Sequence, residues 1–132
     1  MKKQNKNETV PTSAELNLLN ILWQLGPSTV RQVHAYLNKT QKSGYTTVLK
    51  IFQIMYEKGL VTRDETNRAH VYASNYSEKQ AQKSVVNSML TKVFGGSKYQ
   101  LVVRALDESA SSEEIAEIRQ LLDQLEESNN KN

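Results

Sequence analysis

The first 75 residues contain three segments with helical periodicity, and their order leaves little choice of fold. The first two segments begin at residues 12–15 (TSAE) and 29–32 (TVRQ), sequences typical of a capping box, in which two side chains satisfy free backbone amides reciprocally. A third predicted helix runs from Tyr45 to Lys58 and ends at Gly59. Three short helices in this succession predict a helix–turn–helix unit.

Two short β-prone runs, residues 60–64 and 68–72, follow the third helix. The polar residues between them include Asn67, which tolerates positive φ, so the two runs predict a β-hairpin. The chain has only two prolines and five glycines, too few turn residues for an all-β sandwich or barrel. The prediction is therefore a mainly α fold with a small β-hairpin wing, a winged helix–turn–helix domain over residues 11–75.

Residues 76–127 predict three more short helices, which we expect to form a helical dimerisation domain. Their apolar stripes are wide, and three such helices are too few to bury these residues in a core of their own. We therefore expect the surface of a partner to cover them. Composition predicts disorder for residues 1–10 and for the tail at 128–132. The predicted dimerisation residues are Val93, Leu101, Val102, Leu106, Ile115, Ile118, Leu122 and Leu125.

The third predicted helix has an apolar arc and a polar arc when its residues are placed about 100° apart. Ile54 lies on the polar side and does not fit this pattern. The apolar arc consists of Val48, Ile51, Phe52 and Met55, and the polar arc of Thr46, Lys50, Gln53 and Glu57, with Thr47 on its flank.

Positive charge is concentrated in the first part of the chain. Residues 1–75 carry ten lysines and arginines against five acidic residues, whereas residues 76–132 carry seven against nine. A basic front half favours binding to a polyanion, and double-stranded DNA suits a polar helix that a hairpin follows. The polar face of an arbitrary amphipathic helix is most often only solvated. Here the charge and the hairpin favour a different role, and we predict that this face contacts DNA and that residues 11–75 form a winged-helix DNA-binding domain.

The side chains of the polar arc suit different parts of the DNA. Lys50 and Gln53 are long enough to reach base edges in the major groove. Thr46 and Thr47 can bond phosphate or touch a thymine methyl group. Phosphate contacts, which position the protein without specifying sequence, are predicted for Arg31, Lys39, Lys42 and Arg68.

The absence of cysteine excludes thiol catalysis, disulfides and iron–sulfur clusters. Two histidines are too few for an imidazole-rich metal centre, and we expect a surface His34 and a half-buried His70. No nucleophile–base pair or glycine-rich phosphate loop is found in the sequence. We therefore expect no enzymatic activity, no metal and no cofactor.

No apolar run approaches the about 20 residues that a membrane span requires. The basic residues 1–7 lead into polar residues and not into an apolar segment, so no signal peptide is predicted. We expect a cytoplasmic protein that does not insert into the membrane.

Short motifs lie in a specific order along nearly the whole chain, although each alone is weak. In the first half they are Ser13-Ala14-Glu15, Ile21-Leu22-Trp23, Thr47-Val48, Lys58-Gly59-Leu60-Val61, and Arg68 with Tyr72 in the wing. In the second half they are Lys92-Val93-Phe94-Gly95-Gly96, Leu101-Val102 and Ser112-Glu113-Glu114-Ile115.

Together these motifs resemble the penicillinase-repressor family, the BlaI/MecI/CopY-type bacterial transcriptional regulators. The resemblance implies an N-terminal winged helix that binds operator DNA and a C-terminal helical segment that forms a homodimer on a dyad-symmetric operator. It further implies that a membrane sensor protease relieves repression by triggering cleavage in the C-terminal segment. The bond that is cut in penicillinase-type members aligns with Arg104-Ala105, between the predicted fifth and sixth helices.

Two alternatives stay open at this point. The winged helix could serve as a protein-interaction module without sequence-specific DNA binding, since a fold alone does not fix function. A repressor could also remain intact during derepression and be governed by a ligand or by its own concentration.

Overall fold

A computed structural model of the chain describes residues 10–107 and 109–131. Within them six helices and three short strands follow one another, and the order helix, helix, helix, hairpin is confirmed. The elements are α1 (Ser13–Leu25), β1 (Ser28–Thr29), α2 (Val30–Leu37), α3 (Tyr45–Lys58), β2 (Val61–Asp64), β3 (Val71–Ser74), α4 (Glu78–Lys92), α5 (Lys98–Leu106) and α6 (Ser112–Asn130).

Side-chain caps define the starts of α1 and α2. The amide of Glu15 donates to Thr12 Oγ1 at 3.2 Å, and the amide of Thr12 donates to Glu15 Oε1 at 2.9 Å. Thr29 and Gln32 repeat this exchange at the start of α2, with distances of 2.9 and 3.2 Å. Both predicted capping boxes are present, so the boundaries of these helices follow from local sequence.

Gly59 ends α3 in the left-handed conformation, with φ of 85°. This turn lets the amide of Leu60 donate to the carbonyl of Met55 at 2.9 Å, and the chain then enters β2 directly. A side chain other than glycine would strain the backbone at this φ, which is why the helix stops here.

The strands form an antiparallel sheet in the order β1-β3-β2. The predicted hairpin is present, but its second strand begins at Val71 and not at residue 68. Residues 65–70 form the turn instead, because the Asp64 carboxylate accepts hydrogen bonds from the amide and hydroxyl of Thr66 and reverses the chain there. Strand β1, which was not predicted, has two residues and pairs with Val71 and Tyr72.

One hydrophobic core holds the winged helix together, and the rings of Phe52 and Tyr72 stack in it with centroids 4.7 Å apart. Trp23 is half-buried, and its indole N–H donates to Ser74 Oγ at 3.0 Å and to the carbonyl of Tyr76 at 2.9 Å. The buried side chains from the first three helices include Leu18, Leu19, Leu22, Val30, Val33, Leu37, Val48, Phe52 and Met55.

The chain divides into two compact units, the first ending at Met89 and the second beginning at Leu90. The boundary predicted from the sequence, between residues 75 and 76, lies within the first unit. The first turns of α4 belong to that unit because they bury Ala81 and Ser84. The second unit contains the end of α4, α5 and α6.

Helix α6 continues to Asn130, so the prediction of a disordered tail from residue 128 is wrong for residues 128–130. Residues 1–9 and 132, which complete the two segments predicted to be disordered, lie outside the described residues. Among the residues that are described, no helix has the length and apolar character needed to cross a membrane.

Candidate nucleic-acid interface

Helix α3 presents one face to the core and the opposite face to solvent. Val48, Phe52 and Met55 are buried as predicted. The opposite side, which we call the outer face of α3, consists of six exposed residues. They are Thr46, Thr47, Lys50, Gln53, Ile54 and Glu57.

The turn that leads into α3 is fixed by hydrogen bonds from α2. His34 Nε2 lies 2.6 Å from the carbonyl oxygen of Ser43, and the amide of Ser43 donates to Asn38 Oδ1 at 3.0 Å. The ring of His34 also meets that of Tyr45 edge-on, with centroids 5.6 Å apart. His34 is therefore half-buried and structural, whereas His70 is exposed, which reverses the expectation for the two histidines.

The other end of α3 is tied to α1 by an ion pair. Lys58 Nζ lies 2.7 Å from Glu15 Oε2, and the Glu15 side chain is only 4% exposed. Because the other carboxylate oxygen of Glu15 caps α1, one side chain joins the start of α1 to the last turn of α3. Both ends of α3 are thus held, which leaves its outer face in a fixed orientation.

Arg63 anchors the wing on α3. Its guanidinium lies 4.0 Å from the centroid of the Tyr56 ring and 2.6 Å from Glu65 Oε2. Arg63 and Tyr72 are directly paired across β2 and β3. A hydrogen bond with Tyr72 and the pairing with Glu65 raise the pKa of Arg63. This arginine is therefore engaged within the fold, and Arg68 remains the exposed cation of the wing turn.

A groove lies between the start of α2, the first turn of α3 and the wing, and we call it the wing groove. It brings together Arg31 and Arg68, two of the predicted phosphate contacts, although they are far apart in sequence. Thr29, Tyr45 and His70 also line it. These last three residues were not predicted to belong to the site, because their proximity depends on how the wing folds over α2.

The remaining predicted DNA contacts lie elsewhere on the same unit. Lys42 is exposed in the turn before α3, beside Asn38 and Ser43. Thr46, Thr47, Lys50 and Gln53 lie on the outer face of α3. The predicted residues thus form two groups, one on that face and one around the wing groove, with Lys39 and Lys42 between α2 and α3. Lys39 is exposed, and its Nζ lies 5.2 Å from the centroid of the Tyr36 ring.

The second unit buries little of its apolar surface. None of the described side chains of α5 and α6 is buried. Among the predicted dimerisation residues, Val93 is 70% exposed, Leu122 58% and Leu125 54%. Leu101, Leu106 and Ile118 are half-buried.

The Arg104-Ala105 bond lies in the last turn of α5, not between α5 and α6 as expected. The side chain of Arg104 is exposed and pairs with Asp107 at 3.0 Å. In the described part of the chain, no group of three histidine or acidic side chains is arranged to hold a metal ion.

Comparison with known proteins relates most of the chain to penicillinase repressors. Residues 11–124 match the family model described as "Penicillinase repressor". The chain is 28% identical over 113 residues to the "Transcriptional regulator BlaI" of Mycobacterium tuberculosis, covering 85% of this chain and 82% of that protein. It is 26% identical over 114 residues to the "Penicillinase repressor" of Bacillus licheniformis, covering 86% and 89%.

A similar fold is found in the solution structure of the DNA-binding domain of the repressor BlaI. That structure has a TM-score of 0.50 and 24% sequence identity, and the match covers 61% of this chain and 93% of that one. It supports the assignment of the first unit as a winged helix. Because the family model spans both compact units, the chain belongs to the penicillinase repressor family of DNA-binding transcriptional repressors.

Proposed function

We propose that this chain represses transcription as a homodimer that binds a dyad-symmetric operator in double-stranded DNA. The observation that carries the proposal is the outer face of α3, where hydrogen-bonding side chains are exposed on a helix held at both ends. A helix in this position of a helix–turn–helix unit enters the major groove. In this proposal Lys50 and Gln53 contact base edges, and Thr46 and Thr47 contact phosphate or a thymine methyl group.

Phosphate contacts would position the protein on the duplex. Arg31 and Arg68 both line the wing groove, and we expect both to contact the phosphates of one strand. Lys42, in the turn before α3, could reach the backbone on the other side of the major groove. Such contacts supply affinity but no sequence information.

The second unit supports the proposal of a homodimer. Exposed apolar side chains on α6 would be covered by the same residues of a second copy, because most such assemblies are symmetric. Two winged helices related by a two-fold axis would then contact half-sites that are in phase with the DNA helix. The natural location for this activity is the cytoplasm, and we expect no enzymatic activity and no cofactor.

Control by a sensor protease is the second part of the proposal. Cleavage at Arg104-Ala105 would detach α6 and with it Ile115, Ile118, Leu122 and Leu125. The dimer would lose the avidity of its second half-site, often about 10²–10⁴-fold. The bond lies in the last turn of a helix, where local unfolding costs least.

Mass spectrometry of the protein from derepressed cells tests this control. Fragments that end at Arg104 support proteolysis. An intact chain of 15.0 kDa throughout derepression excludes it and favours control by a ligand or by concentration.

DNA binding itself is tested by selecting sites from a random pool of double-stranded DNA and measuring affinity across a salt series. A repressor yields a preferred dyad site, and its affinity falls steeply with salt because phosphate contacts release counterions. A protein-interaction module, the alternative, yields no preferred site. The exposed basic residues around the wing groove favour the repressor.

A further inference from the structure

Ile54 is an exposed aliphatic residue among the polar residues of the outer face of α3. Its side chain is 42% exposed, although isoleucine is one of the residues most often buried in proteins. It lies about 40° around the helix from Lys50, and about two turns beyond Thr47 on nearly the same line. Ile54 is therefore within the surface that the proposed function assigns to DNA.

The core does not require an isoleucine at this position. Val48, Phe52 and Met55 already cover the buried side of α3, and Ile51 is half-buried on its edge. An exposed aliphatic group on an otherwise polar face contributes to the stability of a complex only when an apolar group of a partner covers it.

The major groove offers one such group. Each base pair presents hydrogen-bond donors and acceptors there, and the prominent apolar group is the C5-methyl of thymine. We propose that Ile54 is a specificity-determining residue that packs on a thymine methyl group in each half-site. This inference rests on the proposed function, since it requires that α3 enters the major groove.

The side chain of isoleucine suits this role in two ways. Its β-branch restricts χ1 strongly in a helix, so little conformational entropy is lost when it is covered. It also cannot accept a hydrogen bond, so the amino group of a cytosine or adenine beneath it would lose water without gaining a partner. Ile54 would therefore favour thymine and reject cytosine at one position.

The test compares thymine with uracil in the DNA, because this exchange removes only the C5-methyl group. Sites are first selected from the random pool by the full chain. Each thymine of the preferred site is then replaced by deoxyuridine in both half-sites, one position at a time. Affinities are measured for the unmodified chain and for Ile54→Ala, with Ile54→Gln as a second variant.

We expect one thymine position at which uracil weakens binding of the unmodified chain by about fourfold per half-site, the equivalent of burying one methyl group. Both Ile54 variants should bind the thymine and uracil sites equally at this position. Leu25→Ala removes a similarly exposed aliphatic group at the end of α1 and should keep the full preference for thymine.

The inference is overturned if uracil has no effect at any position, or if the Ile54 variants keep the preference for thymine. In each of these cases a preferred site still exists, so the proposed function stands. A pool that yields no preferred site overturns the proposed function itself. The exposure of Ile54 means that its variants should keep the circular dichroism spectrum and melting temperature of the unmodified chain.

Discussion

The carboxylate of Glu15 and the ammonium of Lys58 form an ion pair of 2.7 Å between the first turn of α1 and the last turn of α3. The carboxylate is almost fully buried, whereas about a third of the Lys58 side chain is exposed. The two partners should therefore respond differently to substitution.

Lys58→Met should lower the free energy of unfolding by about 1–3 kcal/mol, because it leaves the buried Glu15 carboxylate without its cation. Glu15→Gln should cost less, because it leaves no buried charge and its amide oxygen can still accept from Thr12. Urea unfolding measures both. Lys50→Met, a matched change on the exposed side of the same helix, should have almost no effect. Equal losses for the two lysine variants would contradict the role of the ion pair.

Lys50→Ala and Gln53→Ala should each reduce discrimination between the preferred site and random DNA by about 1–3 kcal/mol, the usual value of a bidentate base contact. Arg68→Ala should weaken binding to both DNAs about equally and lower the salt slope by about one unit, since it removes one phosphate contact. Gel shifts with the two DNAs over a salt series measure these effects. An unchanged ratio of specific to random binding in Lys50→Ala would exclude α3 as the element that recognises sequence.

Leu122→Asp should shift the protein from dimer toward monomer, because it introduces a charge into the apolar face of α6. Sedimentation at micromolar concentration measures the change. The matched control is Asp123→Leu, which alters the neighbouring residue of the same helix and should leave the dimer intact. Sedimentation of the unmodified chain as a monomer would refute the proposed dimer.

The Asp64 carboxylate accepts hydrogen bonds from the hydroxyl and the amide of Thr66, and these bonds lower its pKa. The folded wing turn therefore binds protons less readily than the unfolded chain does. The contribution of these bonds to stability is present above the ordinary pKa of an aspartate and is lost as the pH falls through the lowered value.

Thr66→Val removes the hydroxyl and should raise the pKa of Asp64 toward its ordinary value. An NMR titration of the Asp64 carboxyl carbon measures the shift. Thr62→Val, on an exposed position of β2, is the control and should leave the titration unchanged. If both variants titrate alike, the hydroxyl of Thr66 does not control this group.

Local signals in the sequence predicted the helices of the winged helix well. The caps at Thr12 and Thr29 and the left-handed Gly59 each depend on residues within four positions, so they can be recognised without tertiary structure. The end of α3 at Gly59 was confirmed for this reason. The start of α3 at Tyr45 and the exposure of its polar arc were confirmed as well, and both follow from the helical periodicity of the sequence.

Features that depend on distant residues were not predicted. Strand β1 has only two residues, and it exists because β3 lies beside it. His34 supports the turn before α3 through the carbonyl of Ser43, a contact that no periodicity indicates. The start of β3 is also three residues later than predicted, although the turn at Asp64 and Thr66 is local, because side-chain hydrogen bonds and not β propensity decide it.

The surroundings of Trp23 allow its intrinsic fluorescence to report unfolding of the winged helix. It is the single tryptophan of the chain, and its indole N–H is bonded to Ser74 Oγ and to the carbonyl of Tyr76, where β3 leads toward α4. Its emission should shift to longer wavelength when these bonds open and water reaches the ring. Because α5 and α6 contain no tryptophan, this signal should follow melting of the winged helix separately from dissociation of the proposed dimer.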